Sequence, residues 1–276
     1  MPQARERAER LLLTVDISNT GIKFGVYPLE GETLRARWRI ATAREQTTDE
    51  YAMLLANLCR HAGLRLDDIA DVIISSVVPP LTPVFHDLAT SYLGREPIVV
   101  TYQTPLGIRL LVDNPWETGT DRMLSALASH HLYGGPAIVI QFGTATSFDC
   151  VSAEGDFLGG AIAPGLGISA EALARAASRL YQVELTPPPV ALGKNTMECM
   201  QSGIVFGHVG LVEGLVARLR AELPGGARAR VIAHGGLADL VAQVTPVIDV
   251  VDSTLLLTGL RLAYTRLKRM ENGEPT

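Results

Sequence analysis

The sequence predicts an α/β fold built as two similar halves, and three observations point there. A pattern of apolar strand, polar break and second strand occurs in "LLLTVDISNTGIKFGVY" (residues 11–27) and again in "AIVIQFGTATSFD" (residues 137–149). Internal repeats of this kind decide architecture before single elements do. In both halves a third strand and then helices follow. The chain has 276 residues, 47% of them hydrophobic, enough to fill two medium cores.

Leu11 to Val15 is an unbroken apolar run and reads as a buried strand, whereas Ile22 to Tyr27 alternates like a second one. Ser18 to Gly21 between them is turn chemistry. Thr33 to Ile40 forms a third strand. Residues 48–61 carry apolar side chains at helical spacing behind a Thr47/Thr48 cap. Asp71 to Val78 is a strand ended by Pro79-Pro80. Pro83 to Leu93 reads as helix, Pro97 to Thr101 and Gly107 to Val112 as short strands, and Thr120 to Tyr133 as an amphipathic helix stopped by Gly134-Gly135. The second half gives strands at Ala137 to Ile140, Thr146 to Val151 and Phe157 to Ile162, then a helix from Ser169 to Tyr181. After a loop marked by Pro187 to Pro189 come a long helix from Glu198 to Glu222, a strand from Arg230 to Ala233 and a last helix from Ser253 to Met270. The domains are therefore expected at 11–133 and 134–270, with flexible tails at 1–10 and 271–276.

A net charge of −5, with no run of Lys or Arg longer than two, offers no stripe for a phosphate backbone, so nucleic acid is not an expected partner. The three cysteines, Cys59, Cys150 and Cys199, have neither zinc nor disulfide spacing. No stretch approaches 18 consecutive apolar residues and the first ten are charged with both signs, so no membrane span or export signal is expected, and the cytoplasm is.

The polar break in each repeat asks for a chemical reason. Each has a polar residue near the strand end (Asp16, Gln141), a small residue two positions later (Ser18, Gly143), then Asn or Thr. Two such hairpins facing each other across a cleft would offer main-chain N–H groups and hydroxyls to one polyphosphate. An ordinary hairpin turn is the alternative for either copy alone.

Together "DISNT", "GTDRM", "FGTATSFD", "FLGGAIAPGLGIS" and "LGKNTMECMQSG" resemble the type III pantothenate kinases of the acetate and sugar kinase, heat-shock protein 70 and actin superfamily, over residues 11 to about 265. The resemblance implies two ribonuclease H-like domains, each a duplicated ββαβ-type core in an actin-like ATPase fold, with a cleft between them. It implies a homodimer that transfers the γ-phosphoryl of ATP to pantothenate in the first step of coenzyme A synthesis. By position, Asp16, Ile17, Ser18, Asn19, Thr20, Gly21, Ile22 and Lys23 match the first phosphate loop, with Asp16 orienting Mg²⁺ and ATP. Gly143 and Thr144 match the second. Gly119, Thr120, Asp121 and Arg122 match the substrate motif, Asp121 taking the hydroxyl proton and Arg122 holding the pantothenate carboxylate. Thr196 matches a threonine that reaches pantothenate in the neighbouring subunit. Read without the family, Asp121 at a helix start is a capping residue worth about 0.3–1 kcal/mol.

Four positions depart from the family pattern. Ser18 replaces a glycine, at no cost only if its φ is negative. Val112 replaces a substrate-contacting Tyr, so that role is not carried over. His234 replaces a Thr before paired glycines. Gln141 replaces an Asp that binds an activating monovalent cation, K⁺ or NH₄⁺, and removes a full negative charge. Lys23 is then the candidate to supply positive charge instead. The same loss keeps a second function open, a weak or inactive nucleotide-binding or regulatory homologue. A dinucleotide fingerprint in "GLGISA", Gly165 to Ala170, with Glu184 as ribose acid, fails because it follows a third strand rather than the first strand of a βαβ unit. His130-His131 are read as a helix end, and Met197, Met200 and the apolar positions through Val216 as core or dimer interface.

Overall fold

The computed structural model describes residues 10–273. In chain order the elements are β1 (Leu11–Ile17), β2 (Gly21–Pro28), β3 (Ala36–Ala41), α1 (Thr48–His61), β4 (Ile69–Ser76), α2 (Leu81–Tyr92), β5 (Ile98–Val99), α3 (Thr120–Tyr133), β6 (Ala137–Phe142), β7 (Ala145–Val151) and β8 (Phe157–Pro164). They continue with α4 (Leu166–Ala176), α5 (Thr196–Glu222), β9 (Arg230–Gly235), α6 (Ala238–Ala242), β10 (Val250–Val251) and α7 (Leu255–Glu271).

Two sheets carry the same topology. The first is ordered β3-β2-β1-β4-β5 and the second β8-β7-β6-β9-β10. In each, the first three strands of the repeat form an antiparallel meander, and the first strand of the meander pairs parallel with the strand that follows the crossover. All seven residues of β1 are buried, which is why that run shows no alternation.

In the first unit the core packs Val15, Ile17, Ile22 and Phe24 against Tyr51 and Leu55 of α1 and Phe85 and Leu88 of α2. The rings of Tyr51 and Phe85 lie 4.8 Å apart. Helix α1 starts where its cap is expected: Thr47 accepts the Glu50 N–H while the Glu50 carboxylate accepts the Thr47 N–H, a capping box. In the second unit Ile138, Ile140 and Phe148 pack against Val209, Val212 and Val216 of α5 and Val231 and Ala233 of β9. Helix α5, 27 residues long, is by length and composition apolar enough over one window to cross a membrane. Its buried face is occupied by that core, and its Glu213 accepts a 2.6 Å hydrogen bond from Thr245 Oγ1.

The compact units do not follow the linear boundary expected at 133/134. One takes the described residues up to Gly107, Trp116–Leu124 and the residues from Leu256 on; the other takes Ile108–Pro115 and Ser125–Leu255. The C-terminal helix therefore belongs with the first sheet. Tyr264 donates to Asp71 at 2.7 Å and Arg266 donates to the Leu106 carbonyl at 2.6 Å. The expected tails lie outside the described residues except for Arg10 and Glu271–Gly273.

Several local expectations shift. Gly107 to Val112 contributes one bridge, Leu110 to Phe157, rather than a strand. The helix expected from Ser169 to Tyr181 starts at Leu166 behind an extended Gly165 and ends at Ala176, because Ala177 leaves helical geometry. Helix α6 and strand β10 are too short for a periodic signal. Cys59, Cys150 and Cys199 are free thiols, and burial pushes the first two up to about 11.

Candidate active site

The first hairpin presents a buried carboxylate. Asp16, second from the end of β1, is fully buried, with Lys23 of β2 as its antiparallel partner and Ser75 of β4 as its parallel one. Its Oδ2 accepts from Ser18 Oγ at 3.0 Å and Lys23 Nζ at 3.2 Å. Its Oδ1 is buried and has no hydrogen-bond partner. Burial raises the Asp16 pKa, Lys23 opposes that rise, and the nearby Asp121 charge adds to it. The ammonium expected to replace a bound cation is thus the counter-ion of Asp16 itself.

Ser18 costs nothing in this turn, since no described non-glycine residue has a positive φ, and its hydroxyl is one of the two donors to Asp16. The loop is braced from outside: Thr42 donates to the Ser18 carbonyl at 2.6 Å and Arg44 to Asn19 Oδ1 at 3.1 Å. Thr20 closes the loop, and Ile17, Gly21 and Ile22 belong to the flanking strands.

Helix α3 opens on the substrate motif. Gly119 precedes it, and a Cβ there would meet Asp121 Oδ1 at 2.6 Å, so only glycine lets that carboxylate fold back over the helix start. Asp121 Oδ1 accepts the Arg122 N–H at 3.0 Å, which holds the carboxylate against the first turn of the helix. Thr120 Oγ1 lies 2.8 Å from Ser75 Oγ in a buried contact. Ser75 is the strand neighbour of Asp16, so this contact ties the start of α3 to the carboxylate strand.

In the second unit Gln141 holds the place Asp16 holds in the first, second from the end of its strand. Its cross-strand partners are Ser147 of β7 and His234 of β9, and its Nε2 lies 3.9 Å from where a Gly143 Cβ would sit. Two of the four positions that depart from the resembled pattern, 141 and 234, are side by side in the sheet. Gly143 N–H bonds the Ala145 carbonyl, and Thr144 offers its carbonyl to Gly165 N–H at 3.1 Å. Gly235 has φ +105° and a Cβ there would lie 2.4 Å from the Phe142 carbonyl, so this turn demands glycine. Thr146 Oγ1 lies 3.1 Å from Nε2 of buried His208, a residue of α5 that sequence reading did not single out. Burial lowers the His208 pKa and keeps the ring neutral.

Thr196 is the first residue of α5, capped by Asn195, which accepts the Glu198 N–H. It is exposed and borders a cavity of about 1010 Å³ between α4 and α5, with Lys194, Met200, Ile204 and His208. His130 ends α3 as expected, its Nε2 3.1 Å from the Ala153 carbonyl. Val112 packs near Gly159. Gly165 and the following residues form the start of α4 after β8, so they do not form a dinucleotide turn.

A divalent cation held with a nucleotide needs few protein ligands, one or two carboxylates beside phosphates and waters. Asp16 fits that requirement, because its Oδ1 is a buried carboxylate acceptor with no hydrogen-bond partner among the described residues. No group of three His, Cys, Asp or Glu side chains among the described residues forms a metal cage of its own.

The repeated five-stranded sheet with its two polar hairpins defines the class: a tandem ribonuclease H-like α/β protein of the actin-like ATPase type. Solved structures agree on the fold. A conserved Baf-family protein from Campylobacter jejuni has a TM-score of 0.57 at 15% identity, over 93% of this chain and 99% of that one. A reductive activator for a corrinoid, iron-sulfur protein also reaches 0.57, at 10% identity, over 98% and 63%. The family model of the type III pantothenate kinases matches residues 12–218. The type III pantothenate kinase of Roseiflexus sp. strain RS-1 is 52% identical over 254 residues, 92% of this chain and 98% of that protein. That of Moorella thermoacetica is 46% identical over 256 residues, 93% and 99%. The chain belongs to the type III pantothenate kinase family. It is a kinase, a phosphotransferase.

The raised Asp16 pKa has a consequence for stability. Between the ordinary carboxylate value and the raised one the folded state holds more protons than the unfolded state, so stability falls as pH rises through that window. Asp16→Asn is expected to melt higher than the parent at pH 8 without ligands, because an amide there has no charge to desolvate. The gap should close towards pH 4. Thermal melts across that range check it, and a lower melting point at pH 8 would contradict the reading.

Proposed function

We propose that this kinase transfers the γ-phosphoryl of ATP to the primary hydroxyl of pantothenate, giving 4'-phosphopantothenate for coenzyme A synthesis, in the cytoplasm and without nucleic acid or membrane partners. The observation that carries the assignment of roles is the placement of Asp121 within electrostatic reach of the buried Asp16, in one unit and through the Ser75–Thr120 contact.

In this reading Asp121 takes the proton from the pantothenate hydroxyl as its oxygen attacks phosphorus and the bond to ADP breaks. Arg122 holds the pantothenate carboxylate, and Gly119 and Thr120 shape the turn that presents both. Residues 16 to 23 and Gly143 and Thr144 hold the nucleotide phosphates with main-chain N–H groups and hydroxyls, as a loose phosphoryl transition state requires. Asp16 Oδ1 would hold Mg²⁺, which supplies charge neutralisation on the phosphate oxygens. Lys23 opposes the protonation that burial of Asp16 favours. The base is expected to contribute about 10²–10⁴ in rate. Asp121→Asn should therefore lower kcat by that factor while leaving the pantothenate Kd within about threefold; an unchanged kcat would remove Asp121 from the chemistry and favour the regulatory homologue.

The monovalent cation follows from Gln141. A neutral amide whose nitrogen faces the second loop is a donor there, and the lost carboxylate weakens cation attraction by about 1–4 kcal/mol. Phosphoryl transfer is therefore expected to depend little on K⁺ or NH₄⁺, and Gln141→Asp to raise that dependence. Titration of activity with KCl at fixed ionic strength reads it out. Saturable activation of the parent enzyme would show that Gln141 still serves a cation.

The assembly is proposed as a homodimer through α4, α5 and the loop between them. Val190 is 60% exposed and Leu192 78% in the segment that leads into α5, and Ile162 is 65% exposed on β8, large apolar side chains that a partner surface would cover. On α5, Gly203, Gly207 and Gly210 have nothing within 4 Å of a Cβ position, which leaves room for a second helix to approach closely. Sedimentation equilibrium at assay concentration should give twice the 29.6 kDa chain mass. A fully active monomer would rule out a role for Thr196 in a neighbour's substrate site.

A further inference from the structure

The second unit carries a basic cavity that none of the roles above uses. The hairpin residues Gln141 and Gly143, with His234 and Gly235, lie at or beyond the C-terminal ends of the parallel strands β6 and β9. Arg230 starts β9, so at about 3.3 Å per residue it is roughly 17–20 Å from that end. There, Arg220, Arg228, Arg230 and Asp249 line a cavity of about 580 Å³. Three guanidinium groups meet one carboxylate, in a chain whose net charge is −5.

The nearby carboxylates are already engaged. Asp249 Oδ2 accepts the Val231 N–H at 2.7 Å and lies 3.7 Å from Arg220 Nη2, too far for a good hydrogen bond. Asp252 accepts from Tyr133, from the Thr254 N–H and from Thr254 Oγ1. Arg230 is close enough to Tyr133 to oppose the rise of its pKa. Arg220 donates from Nη2 to the Ala229 carbonyl at 3.0 Å, while its Nε is buried and has no hydrogen-bond partner among the described residues. Arg228 and Arg230 are exposed. A buried donor left unmet is unusual in a folded protein and marks a place where a partner is missing.

We propose that this cavity binds the phosphate or pyrophosphate group of a small phosphorylated metabolite, separately from the phosphate hairpins. Arginine forks match phosphate oxygens two at a time, and the volume is that of a small-molecule pocket rather than of a groove for a chain. Arg228 and Arg230 contact the anion from the rim, and Arg220 supplies the charge beneath.

Inorganic pyrophosphate is the probe. Titrated calorimetrically into Mg²⁺-free protein saturated with ATP, it should still bind the parent. The Arg228→Gln/Arg230→Gln double variant should bind it at least tenfold more weakly, with unchanged kcat for the kinase reaction and an unchanged melting point without ligand. Arg228→Lys/Arg230→Lys, which keeps charge but loses the fork, should fall between them. Binding to the parent should also weaken between 50 and 200 mM salt. No binding to the ATP-saturated parent, or equal binding to the Gln variant, would overturn the proposal. So would an oligoglutamate peptide that binds as tightly as pyrophosphate, because the surface would then be reading charge alone. None of these readouts depends on which acceptor the kinase uses.

Discussion

Asp16 sits fully buried on the central strand of the first sheet, with one oxygen hydrogen-bonded and the other without a partner, and the first unit is arranged around that placement. A carboxylate in such a position is costly unless charge and hydrogen bonds offset its desolvation. Lys23 and Ser18 supply part of the offset from the same hairpin. The apolar neighbours on β1 and β2 force the burial, since Val15, Ile17, Ile22 and Phe24 all belong to the core on which α1 and α2 pack. Removing the hydrophobic packing would free the carboxylate to hydrate and cost the site its orphaned acceptor. Stability and the metal-holding role proposed for Asp16 thus compete at one atom.

The second sheet repeats the topology and drops the charge. Asp16 has Lys23 and Ser75 as strand neighbours; Gln141, at the corresponding place, has Ser147 and His234. An anion beside a cation in one unit becomes an amide beside a hydroxyl and an imidazole in the other. Positions 141 and 234 are neighbours in that register, so the group at one sets the polar surroundings of the other. Each departure looks arbitrary in the linear sequence, yet in the sheet they form one local solution. The turn beside them is set by the backbone rather than by these side chains, since Gly235 has φ +105° and no room for a Cβ against the Phe142 carbonyl.

Most of the first sheet and its hairpin were legible because they rest on local chemistry: an apolar run, a turn cluster, a Thr-x-x-Glu capping box. Helices α1 and α3 begin and end where caps and glycines say they should. What was not legible is long-range. The C-terminal helix carries an ordinary amphipathic pattern, and nothing in it announces that Tyr264 reaches Asp71, 193 positions earlier, so a linear division of the chain misassigned its unit. Lys23 was read as the candidate to supply positive charge in place of a bound cation, but its partner across the strand pair depends on register, and that partner is Asp16. The Ser75–Thr120 and Thr146–His208 contacts were missed for the same reason: serine, threonine and histidine give no periodic signal, and only the fold brings them together.

Helix α5 shows how one element serves two surfaces. A helix that is apolar on a single face has its other face solvated, but α5 buries Val209, Val212 and Val216 in the second core while exposing a glycine track and the apolar surroundings of Thr196. Between the two runs His208, held neutral by burial, lies 3.1 Å from Thr146 Oγ1, and its ring is 6.1 Å from that of Phe142. Phe142 and Thr146 bracket the second phosphate hairpin. The side chain that braces the hairpin therefore comes from the helix whose outer face is proposed to meet a second copy, and it lines the same cavity as Thr196. His208 is thus shared between the packing behind the second hairpin and the lining of the cavity that Thr196 borders, so order in that cavity and order in the hairpin draw on the same contacts.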